Sequence, residues 1–90
     1  MTIWKYPIPI EDTFRISLPI GAKVIHAEVQ DRSPTMWVLL DPKAQTYPHI
    51  FLIFGTGQTI SDDILQCCEH VATFQMPPMV WHLFAWKHEE

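Results

Sequence analysis

Phe14, Ile16 and Leu18 alternate with Thr13, Arg15 and Ser17, and a period of two over six residues predicts a half-buried strand. Upstream, Trp4, Tyr6, Ile8 and Ile10 alternate with Ile3, Lys5, Pro7 and Pro9. Proline cannot donate to a ladder, so this opening segment is expected as an edge strand, or as one that leaves its sheet near Pro7. Pro19-Ile20-Gly21 supplies a turn. Ala22 to Gln30 then places Ile25, Ala27 and Val29 on one face and His26 and Glu28 on the other. Asp31-Arg32-Ser33-Pro34 predicts a hairpin connection of about four residues.

The next two segments are apolar on both faces. Thr35 to Leu40 and His49 to Phe54 are predicted as central strands, buried on both sides, joined by a polar, proline-bounded loop over Asp41–Pro48. The Gly55–Gln58 stretch ends the second of them. Ser61 is a candidate N-cap, and Asp62 and Asp63 suit the positive end of a short helix. His70 to Met76 and Met79 to Trp86 complete the set. Pro77-Pro78 between them is expected as a stiff extended connector rather than a tight two-residue hairpin, because proline lacks the positive φ of the common hairpin turns. Six to seven short strands with at most one short helical turn predict an all-β fold, a small antiparallel sandwich or barrel.

Ninety residues, 48% apolar and 18% charged, make a single domain spanning 1–90 with enough core-formers to exclude intrinsic disorder. No apolar run approaches the roughly 18 to 20 residues that cross a bilayer. The start of the chain lacks a basic stretch followed by a long apolar one, so neither a secretory signal nor a membrane partner is expected. Six basic and ten acidic residues leave a formal charge of −4, and the basic residues stand singly along the chain. A nucleic-acid binder concentrates such charges into a stripe, so direct binding of nucleic acid is disfavoured.

Trp37, Phe51, Ile53, Trp81, Leu83, Phe84 and Trp86 all lie on segments with apolar residues on both faces. A domain this small has room for about one apolar layer. The sequence therefore predicts a homo-oligomer or a partner-covered surface, with Trp37, Trp81, Phe84 and Trp86 as interface residues. The competing expectation is that loops or the N-terminal strand cover those faces.

Candidate chemistry is sparse. Cys67 and Cys68 are neighbours, and a bond between adjacent cysteines closes a strained ring, so reduced thiols in a cytoplasmic protein are expected. Cys67-Cys68-Glu69-His70 invites a zinc reading, but no second ligand pair follows at the usual spacing. His26, His49, His70, His82 and His88 occur in no metal or catalytic spacing, and Ser17, Ser33 and Ser61 lie on no nucleophile elbow. Asp62, Asp63 and Glu69 give the cysteines an acidic neighbourhood, unlike that of a reactive thiolate. No catalytic residue, metal or cofactor is predicted. Stacking of Trp37, Trp81 and Trp86 on bases would need a basic groove, so packing is the weightier reading. The one suggestive element is Gly55-Thr56-Gly57, where glycines flanking a hydroxyl can aim backbone N–H groups at an anion. Turn geometry explains the same glycines. A small nucleotide held there would draw on the backbone amides and on Arg32 or Lys43; Tyr47 and Gln58 are further candidate binding residues, because loops on a rigid β scaffold commonly carry binding function.

Ile3-Trp4-Lys5-Tyr6-Pro7-Ile8, Leu18-Pro19-Ile20-Gly21-Ala22, Trp37-Val38-Leu39-Leu40-Asp41-Pro42 and Phe54-Gly55-Thr56-Gly57 together resemble a family of short, uncharacterised phage and prophage proteins, over roughly residues 3 to 86. The resemblance implies no catalytic residue. Members often carry a histidine after Gly-Thr-Gly where this chain has Gln58, so no ligand or acid role transfers to that position. What the resemblance does imply is a setting: accessory factors of this size act in the host cytoplasm by binding, by inhibiting a host defence protein or by sequestering a nucleotide signal. The expected function is therefore a non-enzymatic binding protein directed at a host protein, with a nucleotide sponge or a minor virion component as alternatives.

Overall fold

In the computed structural model, which describes residues 1–87, the chain folds into seven strands and one short helix in the order β1 (Thr2–Pro7), β2 (Thr13–Pro19), β3 (Lys23–Gln30), β4 (Ser33–Leu40), β5 (Thr46–Gly55), α1 (Asp62–Cys67), β6 (Cys68–Met76) and β7 (Met79–Trp86). Strands β1-β4-β3 form one antiparallel sheet and β2-β5-β7-β6 the other. The two layers make a sandwich rather than a closed barrel, which decides between the two expected architectures. Edge strand β3 lies along edge strand β6 and shuts one side. On the opposite side the connection from β1 to β2 crosses between the layers, and buried Ile8 plugs the gap.

The alternation read from the sequence sets the inner faces. Phe14 and Leu18 from β2, Met36, Val38 and Leu40 from β4, Phe51 and Ile53 from β5, Phe74 from β6 and Leu83 from β7 meet in one core. Phe14 and Phe51, directly paired across β2 and β5, stack with ring centroids 5.2 Å apart, an offset-type aromatic contact that adds to their burial.

Three local readings are corrected. The β3–β4 connection is a two-residue hairpin, since Gln30 pairs with Ser33 and both Asp31 and Arg32 take positive φ of 50° and 69°. Those are the dihedrals of a type I′ turn, reached here without glycine, and Ser33 and Pro34 consequently belong to β4. Pro77-Pro78 is also a tight two-residue turn. Met76 pairs with Met79 and the Pro77–Pro78 peptide is cis, which reverses the chain without any positive φ. Finally, β3 carries a register shift between Val24 and His26. One extra residue flips the alternation, so Val24, Ala27 and Val29 face the core while Ile25 is 46% exposed.

The two-sided apolar character of β5 and β7 has an internal explanation. Leu52, Phe54, Cys68 and Phe84 form a second cluster on the outer face of the four-stranded sheet, packed against Ile60, Ile64 and Cys67 of α1 and its approach. Phe54 and Phe84 meet edge to face at 5.6 Å. As expected, Ser61 caps α1, its Oγ accepting from the Ile64 amide at 3.3 Å, with Asp62 and Asp63 in the first turn. The chain thus covers with its own helix a surface that the sequence assigned to another copy.

Candidate functional site

Gly55–Gln58 closes β5 with a reverse turn in which the Gln58 amide donates to the Gly55 carbonyl at 3.1 Å and Gly57 takes a φ of 92°, as a type II turn requires at its third residue. The Gln58 side chain folds back, its Oε1 accepting from the Gly55 amide at 3.1 Å, and the Thr56 amide donates to Val80 at 3.2 Å. Three of the four amides that would cradle an anion are therefore committed within the protein. Gly55 has a different role: a Cβ there would stand 3.3 Å from the Trp81 ring, which would have to shift by a few tenths of an ångström to admit it.

The Thr56 side chain begins a chain of hydrogen bonds that the sequence reading missed. Thr56 Oγ1 lies 2.8 Å from His82 Nε2, His82 Nδ1 lies 2.9 Å from Thr73 Oγ1, and Thr73 Oγ1 lies 2.8 Å from His70 Nε2. Each neutral imidazole offers one donor and one acceptor, and each hydroxyl offers both. The chain can run with Thr56 donating to His82 and Thr73 donating to His70, or with every bond reversed. It spans the outer face of the four-stranded sheet beside α1 and ties the turn to β7 and β6. Thr73 and His82 are cross-strand partners, a relation set by the β6–β7 register and invisible in linear spacing.

The expected ligand residues are not brought together. Lys43 sits in the β4–β5 loop, where its amide donates to Asp41 Oδ1 at 3.0 Å, and Tyr47 stacks on His49 at 4.4 Å near the start of β5. Gly55-Thr56-Gly57 lies at the far end of that ten-residue strand, about 30 Å away at 3.4 Å per residue. Arg32 is at the same end as Gly55 but on a hairpin of the other sheet. Among the expected interface residues, Phe84 is buried beneath α1 and Trp81 is half-buried on the inner face, packed against the core. Trp37 is half-buried on the outer face of the three-stranded sheet and Trp86 is 38% exposed at the end of β7. His88 lies outside the described residues.

That outer face of the three-stranded sheet is the apolar surface that α1 leaves alone. Ile3 pairs with Leu39 and Lys5 with Trp37 across β1 and β4, while Leu39 and Trp37 pair in turn with Lys23 and His26 of β3. Ile3 is 52% exposed, and Ile25 projects from the neighbouring bulge. The rim is polar: Lys5 Nζ donates to Gln30 Oε1 at 3.0 Å, and His26 Nε2 lies 3.5 Å from Glu28 Oε1. The His26 ring rests 5.6 Å from that of Trp37.

The two thiols differ. Cys68 is buried under α1, and that burial, followed by the adjacent Cys67, pushes its thiol above the ordinary value of 9.0, with nearby Lys87 pulling weakly the other way. Cys67 is only half-buried. Since the thiolate is the nucleophile, a maleimide at neutral pH is expected to modify Cys67 first, and Cys68 only after denaturation. Mass mapping showing equal labelling in the folded state would contradict this placement. No group of three or more histidine, cysteine, aspartate or glutamate side chains among the described residues is arranged to hold a metal ion, and no helix among them is long and apolar enough to cross a membrane.

A family model described as a domain of unknown function, DUF7352, covers residues 1–90. No curated protein and no solved structure matches the chain.

Proposed function

We propose that this chain, which belongs to the DUF7352 family, works as a non-enzymatic binding module that engages a partner protein through the outer face of β1-β4-β3. One observation carries the reading. The chain uses α1 to cover the apolar outer face of one sheet, yet leaves Ile3, Ile25, Trp37 and Leu39 on the outer face of the other. Contiguous apolar surface rimmed by polar groups marks an interaction site in a folded domain. A half-buried tryptophan at its centre, on a rigid central strand, suits an anchor residue.

The resemblance to phage accessory proteins supports a host protein as the target and the host cytoplasm as the setting. The nucleotide-sponge alternative loses support from the turn at Gly55–Gln58, three of whose four amides are committed and whose expected cationic helper Lys43 lies at the other end of β5.

The test is affinity capture from a host lysate with three baits: the native protein, a Trp37→Glu variant and a Trp86→Glu variant. The same partner is expected on the native and Trp86 baits and lost from the Trp37 bait, as an anchor worth about 2 kcal/mol or more implies, roughly thirtyfold in affinity. Equal recovery on all three baits, or no partner on the native bait, overturns the reading. A partner that proves to be a second copy of this chain assigns the same face to self-association instead.

A further inference from the structure

The sandwich has a cleft at the end opposite the Gly55–Gln58 turn, and its origin is a divergence of strands. The described ladder between β5 and β7 runs from Gly55↔Trp81 to Phe51↔Ala85, whereas β5 continues back to Thr46 in pairing with β2. Where β5 and β7 part, a cavity of about 460 Å³ opens between the layers, within the size range of small-molecule sites.

Its walls are of two kinds. Leu18, Val24 and Phe51 supply an apolar floor continuous with the main core. Lys23 and Lys87 stand at the mouth together with Glu69. Both lysines are exposed, and with Glu69 they give the opening two ammonium groups to one carboxylate. In a chain of net charge −4 with six basic residues, two of them line this one cleft, whose walls also include His49 and His70. An apolar floor with an excess of ammonium groups at its mouth complements a molecule with a hydrocarbon body and one anionic head.

We propose that this cleft binds a small amphipathic monoanion, of the medium-chain or aromatic carboxylate class, with its apolar body against Phe51 and Leu18 and its carboxylate at Lys23 and Lys87. The cleft opens between the sheets, whereas the partner-binding face is the outer surface of β1-β4-β3; Lys23, the cross-strand partner of Leu39, borders both. Neither proposal depends on the other.

The experiment is titration of ¹⁵N-labelled protein with sodium decanoate, followed by amide chemical shifts, with decyltrimethylammonium and decanol as matched cationic and neutral probes. Saturable shifts confined to residues 22–24, 49–51, 69–71 and 85–87 are expected with decanoate alone. The double variant Lys23→Gln, Lys87→Gln has both substitutions at exposed positions, so its spectrum stays folded, and its affinity is expected to fall about tenfold or more, as loss of two charge-assisted contacts implies. Equal binding of the ammonium probe, shifts spread over the whole molecule, or undiminished affinity in the double variant overturns the proposal.

Discussion

Phe51→Ala is expected to cost about 3–5 kcal/mol, the largest effect of any single substitution in the molecule. Phe51 is 2% exposed, stacks on Phe14, and sits on the strand that joins β2 to β7 in the centre of the four-stranded sheet. Alanine there leaves a cavity that backbone hydrogen-bonded on both sides cannot collapse to fill. Small domains hold about 5–15 kcal/mol in total, so the variant is expected to populate unfolded chain at room temperature and to lose most of its denaturation midpoint. A midpoint within the error of the native protein would mean that the inner faces do not meet as described.

The second large effect tests the covering role of α1. Phe84→Ala removes the ring that packs edge to face on Phe54 beneath Ile60 and Ile64. A loss of about 3 kcal/mol is expected. Trp86→Ala, two residues further along the same face but 38% exposed, is expected to change stability by about 0.5 kcal/mol or less. The contrast is informative because the cover comes from the same chain: the Phe84 effect must be independent of protein concentration. If a second copy supplied the cover, mass action would make the loss larger on dilution.

The fold was largely legible. Phe14-Ile16-Leu18 could be read because one face of β2 is buried and the other is not, and Ser61-Asp62-Asp63 could be read because helix capping is local chemistry. Two turns were misread for a shared reason. Asp31 and Arg32 adopt positive φ without glycine, and Pro77-Pro78 turns through a cis peptide; in both, the strand pairing around the turn selects a conformation that residue preference alone does not announce. The bulge that exposes Ile25 is likewise a property of the β3–β4 pair rather than of β3.

The site was less legible. Leu52, Phe54 and Phe84 announced a covered second face, but a six-residue helix gave little sign that it was the cover. Burial demanded something apolar, and Ile60, Ile64 and Cys67 suffice. Thr73 and His82 were unremarkable until antiparallel register placed them side by side, and the association of Lys43 with Gly55 failed because β5 holds them at opposite ends. Trp37 points outward because its strand neighbours Met36 and Val38 occupy the core, a placement that alternation along β4 made legible.

Hydroxyl-radical footprinting of the purified protein, at a concentration where light scattering gives the mass of one chain, tests most directly whether this molecule covers one sheet and displays the other. Rapid modification of Ile3 and Ile25, measurable modification of Trp37, and protection of Phe54 and Phe84 are the predicted pattern. Modification of Phe54 and Phe84 at the rate of the exposed side chains, or a particle that exists only as several chains with Ile3 and Ile25 protected, would contradict it.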